Sequence, residues 1–128
     1  MIQKRVLVTE RLRQPPVEGF SWVDRRFVHD HAPALSRDAI LLYFFLAAVC
    51  DKHGLSFWSD TTTSGRLKLA SSAVAEARDE LARRDLLAHD HPLTQVLALP
   101  TMTSRRVSSS AGAEALGRIL RHLDGARP

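Results

Sequence analysis

The sequence predicts an α+β fold in which helices build the core and a two-stranded hairpin follows them. Three observations carry the prediction. An apolar run over residues 39–50 lies between a helix-capping serine and a glycine, and residues 71–84 have the 3.6-residue periodicity of an amphipathic helix. Residues 86–89 and 94–99 have strand character on either side of Asp90, His91 and Pro92.

From the N-terminus, residues 5–8 are a short β-prone stretch, and Pro15 and Pro16 make residues 9–19 an extended arm. Ser21 offers an N-cap with Asp24 three residues on, and Trp22, Val23, Phe27 and Val28 give a short helix an apolar face. Pro33 ends that helix near His31. Ser36 caps the strongest helix, residues 37–52, with Asp38 in its first turn, Lys52 and His53 at its end and Gly54 as the stop. This helix is apolar on every side, so protein should surround it, and Phe44, Phe45 and Trp58 belong to the core.

Residues 55–58 read as a short strand, and Ser59 or Asp60 caps a brief helix over 61–67 that three threonines and Gly65 make intrinsically poor. A turn at Lys68, Leu69 and Ala70 leads into the helix at 71–84, with Val74, Ala77 and Leu81 on one face. After the hairpin, Pro100 closes the second strand, and the serine-rich residues 101–112 form a linker. Residues 113–123 predict a last amphipathic helix through Leu116, Ile119, Leu120 and Leu123. The organisation is an arm (1–19), one domain (20–100) and a linker with a C-terminal helix (101–128).

A chain of 128 residues, 45% apolar and 25% charged, is long enough for one buried core and has the composition of a soluble globular protein. Cys50 is the single cysteine, which excludes an intrachain disulfide or a thiolate zinc cluster and fits a reducing cytoplasm. No long apolar segment follows Lys4 and Arg5, and the run at 39–50 is too short to cross a bilayer, so the expectation is a cytoplasmic protein with no membrane partner. The net charge of +4 and a pI near 10.0 favour an acidic partner, although arginine pairs such as Arg25–Arg26, Arg83–Arg84 and Arg105–Arg106 also suit a solvated surface.

The order long buried helix, strand, short helix, turn, helix and hairpin resembles the winged helix-turn-helix family of bacterial regulators and of plasmid and phage replication initiators. The resemblance covers residues 36–100 and is carried best by Arg66, Leu67, Lys68, Leu69, Ala70, Ser71, Ser72, Ala73, Val74 and by residues 80–87. More faintly, the chain is similar to short winged-helix proteins of bacterial mobile elements, which begin with an arm like residues 6–13. The family resemblance implies that Leu67, Leu69, Val74 and Leu81 clamp two helices on the long one. It implies double-stranded DNA as partner, with Ser71, Ser72, Ala73, Ala75, Glu76 and Asp79 facing a major groove. Phosphate contacts would fall to Thr61, Thr62, Thr63, Arg66 and Lys68, assisted by Arg78 and Arg83. The implied role is transcriptional regulation or an accessory part in replication or transposition.

Three departures from that pattern support an alternative, a protein-interaction adaptor in a larger nucleoprotein complex. Ala70 stands where a serine or threonine cap is usual, leaving Ser71 as a cap one residue late. Glu76, Asp79 and Glu80 would repel phosphates, and the hairpin tip at 89–92 has no lysine or arginine.

No catalytic constellation, metal site or cofactor is expected. The tripeptide His-Asp-His occurs at 29–31 and 89–91, a spacing that metal sites sometimes use, but solvated residues at a helix end and a hairpin tip account for it. Ser71, Ser72 and Ser108–Ser110 lack a glycine-flanked elbow, and there is no phosphate-cradling glycine loop. The long helix has more apolar surface than a small domain easily encloses. A homodimer is one consequence, and cover within one chain by the arm and the 116–123 segment is the other.

Overall fold

The computed structural model describes residues 2–100; the expected linker and C-terminal helix fall in 101–128, outside the described residues. Among the described residues the fold is α+β, with three α-helices and a three-stranded antiparallel sheet.

Helix α1 (Arg37–Val49) is the central element. Its start follows from local chemistry, because the Ser36 hydroxyl accepts from the Ala39 N–H at 3.1 Å and satisfies one of the free donors of the first turn. Ala39, Leu42, Tyr43, Leu46 and Ala47 are buried. The stripe Arg37, Leu41, Phe44 and Ala48 is exposed, so among the described residues protein surrounds this helix on all sides but one. Phe44, expected in the core, is 38% exposed.

The helix also stops before the expected residue 52. Cys50 is extended, and the Asp51 carboxylate accepts from the N–H groups of His53 (2.8 Å) and Leu55 (2.9 Å). A side chain that offers the backbone a local alternative of this kind competes with further helix. Lys52 and His53 therefore sit in a loop, and Gly54 belongs to the entry of the sheet rather than to a helix cap.

The N-terminal segment differs most from expectation. Residues 5–8 pair with no strand, and the arm is exposed throughout with one 3-10 turn at Thr9–Arg11. Ser21 caps no helix; its hydroxyl donates to the Ala48 carbonyl at 3.0 Å and so pins the segment to the end of α1. Helical structure begins at residue 25, where Asp24 accepts from the Arg26 N–H, passes through a π turn (Phe27–His31) and ends in a 3-10 turn (Ala32–Ala34) containing Pro33. The anchor is Phe27, fully buried and stacked on Tyr43 with ring centroids 3.8 Å apart and planes 7° from parallel. His31, expected in solvent, is buried.

Helix α2 (Asp60–Leu67) starts at Ser59, whose hydroxyl accepts from the Thr62 N–H, and ends at Lys68 in the left-handed conformation (φ 59°). Helix α3 (Ser71–Arg83) begins at Ala70 without a side-chain cap, so Ser71 is its first residue and not the substitute cap. Val74, Ala77 and Leu81 are buried against α1, and Leu67 and Leu69 pack on the same core. At the far end, Asp85 takes a left-handed conformation (φ 63°) and turns the chain into the sheet.

The sheet has the order β1-β3-β2, with β1 (Leu55–Ser56), β2 (Leu87–Asp90) and β3 (Leu93–Val96). Leu87 lies opposite Val96 and Asp90 opposite Leu93, which leaves His91 and Pro92 as the hairpin tip. The short β1 pairs with the other side of β3, Leu55 opposite Gln95, so the expected two-stranded hairpin is part of a three-stranded sheet. Periodicity could not show this, because a two-residue strand has no period to read.

Candidate functional site

The face containing the sequence-predicted site is built by α2, the turn at Lys68 and α3. Thr61 and Thr62 are exposed in the first turn of α2, where the Ser59 hydroxyl already takes the Thr62 N–H and the helix dipole favours an anion. Thr63 is 2% exposed and is removed from the phosphate-contact set, because it is one of the residues α2 buries. Arg66 is exposed, and its guanidinium lies over the Trp58 ring, 5.5 Å from the centroid. Trp58 in turn meets Phe45 edge-to-face at 5.1 Å, so the cation rests on a platform fixed to the core. Lys68 is exposed at the turn, in a conformation costing an ordinary residue about 1 kcal/mol relative to glycine.

On α3 the outermost stripe is Ser72, Glu76, Asp79 and Arg83, with Ser71 also exposed and Ala73 and Ala75 half-buried beside it. Arg78 faces α2 and forms an ion pair with Asp60; its side chain is only 14% exposed. That pair ties α3 to the first turn of α2, so Arg78 is a strut of the interface rather than a free phosphate ligand.

Glu80 also differs from expectation. It turns away from the outer stripe and accepts from the Ser36 N–H at 2.8 Å and the Ser36 hydroxyl at 2.6 Å. Arg84 donates beside it to the Ala34 carbonyl at 3.1 Å. Glu80 therefore closes the start of α1, and the acids left on the outer stripe are Glu76 and Asp79. The Ser36 hydroxyl and N–H bonds hold the Glu80 carboxyl below its ordinary value. A group depressed in the folded state stabilises it above the unfolded value, about 4.3 for glutamate, and that contribution disappears as pH falls through the depressed value. Glu80→Gln is expected to flatten the acid limb of stability in that window, read by urea denaturation at stepped pH. An unchanged acid limb would remove Glu80 from this role.

The hairpin tip approaches the start of α2 and leaves a groove of about 390 Å³ lined by Phe57, Trp58, Ser59, Asp60, Arg78, His91 and Pro92. Phe57 stands 74% exposed at this groove. Phe57, expected within a strand over 55–58, lies just beyond β1, which ends at Ser56, and no local pattern marks it as exposed. At the hairpin, His89 Nδ1 and Thr94 Oγ1 are 3.0 Å apart, and the His89 and His91 ring centroids are 6.4 Å apart. Among the described residues no three histidine, cysteine, aspartate or glutamate side chains converge as metal ligands. None of the described helices is long and apolar enough to cross a membrane.

Charge is distributed unevenly along the chain. Residues 20–100 carry nine lysines and arginines against ten aspartates and glutamates, so the net charge of +4 arises in the arm and in 101–128. The protein matches none of the protein-family models, curated proteins or solved structures compared with it.

Proposed function

We propose that the chain is a winged helix-turn-helix protein that binds double-stranded DNA, acting in transcription regulation or as an accessory factor in replication or transposition. The observation that carries this reading is the joint between α2 and α3. Two short helices meet at a tight turn, are clamped on α1 by Leu67, Leu69, Val74 and Leu81, lead into a β-hairpin, and leave the polar stripe Ser72, Glu76, Asp79 and Arg83 outward. A helix presented in this way fits a major groove.

In this reading Thr61, Thr62, Arg66, Lys68 and Arg83 contact phosphates, and Ser71, Ser72 and Glu76 meet base edges. A carboxylate at position 76 accepts from a cytosine amino group. The basic arm, with Lys4, Arg5, Arg11 and Arg13, adds attraction independent of base sequence.

A second reading, a protein-interaction adaptor, is favoured by the acid excess of residues 20–100 and by Glu76 and Asp79 on the outer stripe. Titration of the full chain with mixed-sequence duplex at two salt concentrations separates the two. DNA binding gives an affinity that falls steeply with salt, and Arg66→Ala with Lys68→Ala lowers the slope of log K against log salt by about 2. Absence of binding at low salt overturns the DNA reading and favours the adaptor.

A further inference from the structure

The exposed side of α1 is the centre of a larger apolar surface. Leu41 (39%) and Phe44 (38%) are open on the helix itself, and Val23 (36%), Val28 (51%), Phe20 (70%) and Trp22 (78%) are open on the segment that crosses it. These residues are neighbours: Ser21 is bonded to Ala48, and Phe27 meets Phe44 edge-to-face at 5.4 Å. Beside them a cleft of about 520 Å³ opens between Phe20, Trp22, Tyr43, Cys50 and the chain at Leu97–Leu99. Six large apolar side chains are thus exposed on α1 and on the segment tied to it, more apolar surface than a small soluble domain usually leaves open in one region.

We propose that this surface is the docking site of the chain's own C-terminal segment, residues 113–123, which covers α1 in cis. The attachment point favours it, since the last described residues line the cleft at the C-terminal end of α1. The length matches as well. Twelve residues, 101–112, separate the domain from the segment, and twelve residues can span up to about 40 Å, enough to reach along α1. Thirteen residues of α1 extend over about 20 Å. Leu116, Ile119, Leu120 and Leu123 recur at the spacing of one helical face, which presents an apolar stripe of the kind the patch lacks. A segment tethered by so short a connection has an effective concentration in the millimolar range, well above that of a second copy at micromolar protein.

Cys50, the single cysteine, lines the cleft and serves as reporter. Ala115→Cys is introduced into the full chain, which is then treated with a short bismaleimide at low micromolar concentration. The expected product is a monomer cross-linked within one chain. In the otherwise native chain, Leu116→Asp with Leu120→Asp is expected to raise the rate at which Cys50 reacts with a soluble disulfide reagent at least about threefold, and light scattering should show a monomer. Cross-links only between chains, with a dimeric mass, overturn the proposal in favour of a second copy. An unchanged Cys50 rate overturns it as well, whether or not the cross-link forms, because the tether alone brings residue 115 within reach of Cys50. Neither result bears on DNA affinity, which is measured separately.

Discussion

Phe27→Ala is expected to cost about 3–5 kcal/mol, a large share of the total stability of a domain this size. Phe27 is the anchor by which residues 20–31 hold to α1: it is fully buried, lies flat on Tyr43 and meets the edge of Phe44. Truncation removes the stacking contact and opens a cavity that two neighbouring rings cannot collapse to fill. Chemical denaturation of the variant beside Phe27→Leu measures the effect, and the leucine variant should lose considerably less. Tyr43 offers a second readout because it is the single tyrosine. Burial pushes its hydroxyl up, so alkaline titration of the alanine variant should return it towards the ordinary value. A cost below about 1 kcal/mol would show that the segment is held elsewhere.

Gly54→Ala is expected to cost about 2–4 kcal/mol, combining left-handed backbone strain with overlap against a neighbouring strand. Gly54 has φ +86°, and a Cβ there would run into the Val96 carbonyl oxygen. Its own carbonyl accepts from the Val96 N–H at 2.8 Å, so the two backbones cannot separate without losing the junction of β1 with β3. Gly65→Ala is the control of opposite sign. It lies in α2 with open space where a methyl group would go, and it should gain about 0.5–1 kcal/mol. Thermal unfolding of the two variants side by side tests this, and similar effects from both would refute the assignment of Gly54 to a close backbone approach.

Gly54 also shows why sequence reading reached some features and missed others. The glycine reads as a helix stop, but the helix ends earlier, at Val49, where the Asp51 carboxylate offers the backbone a competing turn. The reason it must be glycine lies in Val96, 42 residues away in the chain, and no local pattern reports that distance. The candidate face divides in the same way. Arg66, Lys68 and the outward residues of α3 are expected from the family resemblance, and Arg66, Lys68, Ser72, Glu76 and Asp79 are exposed. The Arg66–Trp58 stack, the Arg78–Asp60 pair and the turn of Glu80 towards Ser36 depend on which helix faces which, and they remove or reposition residues that the resemblance groups together.

The amino-acid order by itself determined what depends on neighbours within a turn or two: the Ser36 cap, a cap at Ser59 or Asp60, the buried face of α3 through Val74, Ala77 and Leu81, and a hairpin connection within residues 90–92. Only the tertiary structure decided that β1 joins β3, that Thr63 is buried, that Ser21 ties down the end of α1, and that residues 2–100 leave one side of α1 uncovered. The physical reason is the range of the forces involved. Capping and periodic burial act over a few residues and leave a mark in sequence, whereas packing between distant segments is settled by shape and exclusion once the elements meet.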